Sequence, residues 1–66
     1  MLHERSTYMN KDGTKSSAVF YDSEKKNYVV WFYDKDKVIA QESYEGHSEV
    51  YHEDAAENYV MGIKKI

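Results

Sequence analysis

The sequence predicts a small α+β fold: an antiparallel meander of three strands, or of four if the N-terminus adds one, followed by one C-terminal helix packed on one sheet face. Runs rich in β-forming residues alternate with short polar segments up to about residue 44. A segment from Ser48 onward then has the capping residue and the charge order of a helix. A chain of 66 residues is expected to form a single domain, residues 1–66.

The segment Tyr28–Tyr33 predicts the central strand, because six apolar or aromatic residues stand there between Lys25-Lys26-Asn27 and Asp34-Lys35-Asp36-Lys37. Alternation places Tyr28, Val30 and Phe32 on one face and Val29, Trp31 and Tyr33 on the other. One helix covers only one face, and the two faces are equally apolar. The second face is therefore expected to meet another copy, another protein or a ligand.

Two further strands are predicted beside the central one. Residues 16–21 form the first, and residues 38 to about 44 form the second, with Val38, Ala40 and Tyr44 sharing one of its faces. Lys11-Asp12-Gly13 is a turn signal, so the preceding residues 1–10 form either an extra strand or a flexible tail.

The helix is predicted to begin at Glu49, with Ser48 as its N-cap. Acidic residues stand near its start and Lys64-Lys65 near its end, as the helix dipole favours, and Gly62 is expected to end it. The apolar stripe that faces the sheet is predicted to consist of Tyr51, Ala55, Tyr59 and Gly62 or Ile63, flanked by Ala56 and Val60.

The composition limits how so small a domain can be stabilised. The chain has no Cys, so it forms neither a disulfide nor a thiolate metal site, and oligomerisation, most simply a homodimer, is the support that we expect. No apolar run approaches the roughly 20 residues of a membrane span, and the N-terminus lacks the apolar core of a signal peptide. We therefore expect a cytoplasmic protein with no membrane partner.

The charge distribution disfavours a nucleic-acid partner. The net charge is −3, and the segment from Val38 to Ile63 contains six acidic residues and no Lys or Arg. Nucleic-acid binders usually gather positive charge on one face. The acidic helix is expected either to be a solvated surface or to attract a basic protein.

Candidate chemistry is confined to His47 and His52, which lie near Glu49, Glu53 and Asp54. Their spacing matches no metal-binding signature, so we predict no metal site and interpret both as surface histidines near the helix start. No nucleophile motif or phosphate-binding glycine loop is present. We expect a protein that is not an enzyme and has no cofactor.

Tyrosine and tryptophan combine a large apolar area with a polar group, which suits binding surfaces. The predicted partner-binding residues, for a protein or a second copy, are Val29, Trp31, Tyr33, Tyr21 and Tyr44. The alternative is a nucleic-acid interface in which aromatic residues stack on bases beside turn lysines; its residues are Trp31, Tyr33, Lys35 and Lys37.

The motifs Phe32-Tyr33-Asp34, Tyr44-Glu45-Gly46-His47-Ser48, Glu53-Asp54-Ala55-Ala56-Glu57-Asn58 and Gly62-Ile63 resemble small uncharacterised proteins of marine cyanophages. The resemblance covers residues 28–63. It implies a phage-encoded accessory protein that binds a host or phage partner in the host cytoplasm. The order of three strands and a helix also resembles the plant ethylene-response DNA-binding domain and the hic-type antitoxins, but element order alone implies no function.

Overall fold

The computed structural model describes all 66 residues. Its elements are β1 (Leu2–Met9), β2 (Lys15–Asp22), β3 (Asn27–Asp34), β4 (Lys37–Glu42) and α1 (Glu49–Val60). The strands form one antiparallel sheet in the order β1-β2-β3-β4, and the helix packs on one side of it. The predicted α+β fold is confirmed in its four-stranded form, with residues 2–9 as the extra strand.

The tight turns between strands occur at the predicted polar segments. Between β3 and β4, Lys35 and Asp36 both have positive φ, 51° and 68°, as in a type I′ hairpin turn. Between β1 and β2, Gly13 has a φ of 75°, a conformation that glycine adopts without steric cost.

Strand β4 contains a bulge that changes which of its side chains share a face. Tyr33 pairs with Val38 and Phe32 pairs with Ala40, so Ile39 is an extra residue between two consecutive pairs. Since Tyr33 and Phe32 point to opposite faces, Val38 and Ala40 do so as well. The prediction that they share a face was wrong, and β4 ends at Glu42 rather than near Tyr44.

The core lies between the helix and the face of the sheet that carries Val19, Val30 and Phe32, all three fully buried. Phe32 meets the Tyr59 ring edge-on, with centroids 5.1 Å apart. The side that carries Tyr28, Val30 and Phe32 therefore faces the helix, a choice that alternation alone leaves open. Val29, Trp31 and Tyr33 point to the opposite side.

The buried stripe of α1 consists of His52, Ala56 and Tyr59. The stripe predicted through Tyr51 and Ala55 was therefore wrong, although Tyr59 belongs to both; Tyr51 is 46% exposed. Consecutive helix residues differ by about 100° around the axis, so the actual contact face is rotated by one residue. The error arose from treating His52 as a polar surface residue, whereas it is fully buried.

Both ends of the helix follow the sequence signals. The Ser48 side chain accepts a hydrogen bond from the backbone N–H of Tyr51. At the other end Gly62 has a φ of 83°, and the N–H of Ile63 donates to the carbonyl of Asn58, as in a Schellman motif. Lys64 lies beyond the helix and pairs with Glu42.

The helix covers the sheet unevenly. It packs mainly against β2 and β3 and less closely against β1, and its backbone lies away from β4. At 12 residues, α1 is too short to cross a membrane.

Candidate protein-binding surface

The side of the sheet that faces away from the helix carries a group of apolar and aromatic residues. Strand pairing sets Ala18 opposite Trp31 and Phe20 opposite Val29, so these four side chains share one face. Tyr33 follows Trp31 at the next position of β3 on that face. We call this surface the open face; its central residues are Ala18, Phe20, Val29, Trp31 and Tyr33.

Trp31 lies at the middle of the open face and packs against its aromatic neighbours. Its ring centroid is 5.3 Å from that of Phe20 and 6.5 Å from that of Tyr33. Ala18 beside it is only 4% exposed, since the small side chain is covered by its larger neighbours. The rings of the open face are half-buried by one another, and no other element of the chain covers them.

The indole N–H of Trp31 has no hydrogen-bond acceptor, although its nitrogen is shielded from solvent. Leaving a buried donor unpaired costs about 1–3 kcal/mol. Such a group is uncommon in a folded protein, and this one lies at the middle of the open face.

The open face also carries polar groups, near Tyr33 and at one end. Burial raises the pKa of the Tyr33 hydroxyl, and the nearby Glu4 carboxylate raises it further. A depression of about 430 Å³ lies at one end, with Leu2, Val29, Trp31, Gln41 and Ser43 among its lining residues. The open face therefore combines an apolar centre with polar groups at one end, and exposed apolar residues such as Val38 extend it to its edge.

The five predicted partner-binding residues do not form one surface. Val29, Trp31 and Tyr33 lie together on the open face. Tyr21 pairs with Tyr28 on the helix side, and Tyr44 packs against the helix core. The sequence analysis missed Ala18 and Phe20, because their face becomes known only when the register of β2 against β3 is known.

The residues of the alternative nucleic-acid interface are only partly brought together. Trp31 and Tyr33 share the open face, whereas Lys35 and Lys37 lie at the β3–β4 turn and are exposed. Asp36 stands between the two lysines, and Glu4 lies near Tyr33. The positive charge of the turn is therefore offset locally by Asp36, and Glu4 places a negative charge near Tyr33 on the open face.

The two candidate histidines have different environments. His47 is exposed and stacks on Tyr51, with ring centroids 3.9 Å apart. His52 is fully buried, and both of its ring nitrogens are engaged: Nε2 with the N–H of Tyr44 and Nδ1 with the carbonyl of Ser48. His52 therefore has no free nitrogen for a metal ion, and its interpretation as a surface residue was wrong.

Comparisons with protein-family models, with curated proteins and with solved structures gave no match to this chain.

Proposed function

We propose that this chain is a small non-enzymatic binding protein that acts through the open face, and that the partner seated there is a second copy of the chain. One observation carries the proposal. Strand β3 is apolar on both faces, and α1 covers only the face of Val30 and Phe32. An apolar sheet face of this kind is normally covered by a second layer.

The open face is large enough for a dimer interface. The chain measures 33 × 20 × 17 Å and has an accessible surface of 4530 Å². One broad face of such a slab makes up about a fifth of its surface, or about 900 Å², while a standard interface buries about 800 Å² per partner. Only 8 of the 66 residues are buried within the chain, so burial between two copies would add substantially to a small core.

Trp31 is the residue that we expect to dominate the contact. Tryptophan is enriched among the residues that contribute most to binding, and such residues cluster near the centre of an interface. Face-to-face packing of two sheets places the two Trp31 side chains close to the two-fold axis.

The nucleic-acid alternative has less support. Base stacking on Trp31 and Tyr33 would bring phosphates close to the Glu4 carboxylate, which repels them. The attraction of Lys35 and Lys37 for phosphate is weakened by Asp36, which stands between them. Phosphate neutralisation provides much of the affinity of such complexes. A net charge of −3 opposes the binding of a polyanion.

The resemblance to cyanophage proteins suggests a setting for this binding activity. In that setting the dimer is a phage-encoded accessory protein in the host cytoplasm, and the acidic helix side is left free for a basic protein. The helix side stays accessible in a face-to-face dimer because it lies opposite the open face.

The test is the solution mass measured by sedimentation over a concentration series for the wild type, Trp31→Glu and Val38→Glu. Val38 pairs with Tyr33 on the open face and is already 45% exposed, so its replacement tests the surface with little risk to folding. Val50→Glu is the matched control, because Val50 is apolar, 62% exposed and on the helix.

We expect a wild-type dimer that both open-face variants convert to folded monomers, with Val50→Glu remaining dimeric. A wild type that is monomeric at every concentration contradicts the proposal, and salt-dependent binding of a single-stranded oligonucleotide would then favour the alternative. A dimer that persists in folded Val38→Glu and Trp31→Glu places the interface elsewhere.

A further inference from the structure

A second concave surface lies on the helix side, between α1 and the segment that leads into it. This cavity of about 330 Å³ is lined by Tyr44, Tyr51, Asp54, Ala55, Asn58 and Lys64, and we call it the tyrosine cleft. It does not overlap the open face, which lies on the other side of the sheet, so an inference about it is independent of the dimer.

Two tyrosine rings form an aromatic corner of the cleft. Tyr44 and Tyr51 meet edge to face, with ring centroids 5.3 Å apart and planes inclined by 73°. His47 stacks on Tyr51, and the Tyr44 hydroxyl donates to the Glu42 carboxylate. These contacts hold both rings in place, although Tyr51 is 46% exposed and is not part of the core.

The carboxylate of Asp54 is the free charge of the cleft. Two other acidic groups of the helix are engaged, since Glu49 pairs with Arg5 at 2.9 Å and Glu53 accepts a hydrogen bond from Ser6; Glu57 is unpaired as well but lies outside the cleft. Asp54 is exposed and makes neither an ion pair nor a hydrogen bond. The cleft therefore combines aromatic rings with an unpaired negative charge.

The chain itself places one cation against one of these two rings, that of Tyr44. The Lys64 ammonium lies 5.9 Å from the Tyr44 ring centroid and 5.8 Å from that of Phe32, and it pairs with Glu42 at 3.2 Å. Both distances are within the range of cation–π attraction. The charge of Lys64 is thus paired with Glu42, and no cation of the chain pairs with Asp54.

We propose that the tyrosine cleft binds the guanidinium group of an arginine side chain from a basic segment of another protein. A planar guanidinium stacks on an aromatic ring and can at the same time donate two hydrogen bonds to a carboxylate. Tyr51 provides the ring, Asp54 the carboxylate, and the side-chain carbonyl of Asn58 one further acceptor. A cleft of about 330 Å³ holds a single side chain.

The test is a titration of the ¹⁵N-labelled protein with N-acetyl-arginine methylamide, followed by amide chemical shifts. N-acetyl-citrulline methylamide has nearly the same shape without the charge and is the matched control ligand. We expect saturable shifts confined to residues around Tyr44, Tyr51 and Asp54 with the arginine compound, and binding of the citrulline compound at least about threefold weaker.

Exposed-residue variants complete the test. Asp54→Asn and Tyr51→Ala are expected to weaken binding by at least about threefold, whereas Tyr51→Phe retains the ring and the affinity. Glu57→Gln, an exposed acid of the same helix outside the cleft, is expected to bind as the wild type does. Equal shifts with both ligands, shifts spread over the surface, or equal losses in Asp54→Asn and Glu57→Gln would each overturn the proposal.

Discussion

The imidazole of His52 ties the helix to the segment before it, because its Nε2 accepts a hydrogen bond from the backbone N–H of Tyr44 at 3.0 Å. Nδ1 lies 2.8 Å from the carbonyl oxygen of Ser48. An N–H can only donate, so Nε2 is unprotonated and Nδ1 carries the proton that is donated to Ser48. His52 therefore has a structural role in fastening the segment between β4 and α1 to the helix.

Replacing His52 by Ala is expected to lower the free energy of unfolding by about 2–4 kcal/mol, because it opens a cavity and leaves the Tyr44 N–H without an acceptor. Urea denaturation monitored by circular dichroism measures the change. His47→Ala is the control, since His47 is exposed and its loss is expected to cost less than about 1 kcal/mol. Equal effects of the two substitutions would contradict the role assigned to His52.

Ser17→Ala is expected to destabilise the fold by about 1 kcal/mol, because the buried Ser17 hydroxyl donates to the carbonyl of Ala56 at 2.8 Å and so joins β2 to the middle of the helix. Ser16→Ala is the comparison, since Ser16 lies on the opposite face and its hydroxyl makes no hydrogen bond within the chain. Denaturation midpoints at one pH compare the two. If Ser16→Ala destabilised the fold more than Ser17→Ala, the hydrogen bond from Ser17 to Ala56 would contribute little to stability.

Asp36→Gly is expected to raise the free energy of unfolding by about 0.5–1 kcal/mol, because Asp36 has a φ of 68°, which glycine adopts more readily. Asp34→Gly is expected to do the opposite, since Asp34 is the last residue of β3 and has no positive φ. Thermal unfolding of the two variants measures the difference. A loss of stability in Asp36→Gly would show that the Asp36 side chain matters more than its backbone strain.

Stability is expected to fall in acid partly through Glu42. Hydrogen bonds from Tyr44 and Lys64 lower the pKa of the Glu42 carboxyl below its ordinary value of 4.5. A carboxyl whose pKa is lower in the folded state stabilises the fold above its unfolded pKa, and this contribution is lost as the pH falls through the folded value. Burial raises the pKa of the Tyr44 hydroxyl, and the Glu42 carboxylate raises that pKa further. Tyr44 therefore stays protonated and keeps donating its hydrogen bond to Glu42.

Urea midpoints at pH 7 and pH 3 measure this loss. We expect the loss of stability between pH 7 and pH 3 to be smaller in Glu42→Gln than in the wild type. In Glu57→Gln, where an exposed acid is replaced, the loss is expected to equal that of the wild type. Part of the loss should remain in Glu42→Gln, because hydrogen bonds from Thr14 also lower the pKa of Asp12. An identical pH dependence in Glu42→Gln and the wild type would contradict the assignment.

Local patterns predicted the strands well, because each strand is bounded by polar turn residues and the central one consists of β-forming residues throughout. The N-cap at Ser48 and the helix end at Gly62 were also predicted from local sequence, since each depends on the properties of one residue. Such features need no knowledge of the tertiary structure.

The errors have two physical causes. A bulge at Ile39 shifts the alternation of β4, and no residue type marks it. His52 was assigned to the surface because it is polar, although burial is compatible with an imidazole whose two nitrogens are both hydrogen-bonded. The assignment of Val29, Trp31 and Tyr33 to a shared face needed only alternation, whereas their neighbours Ala18 and Phe20 needed the strand register.

The position of the helix at the end of the element order has a consequence for how the chain folds during synthesis. Each strand pairs with the one next to it in sequence, so the hairpins can form as they leave the ribosome. The face carrying Val19, Val30 and Phe32 nevertheless stays in contact with water until α1 has emerged. We expect a chain that ends at Ser48 to show no cooperative unfolding transition by circular dichroism, because this face of the sheet has no cover until α1 has been made.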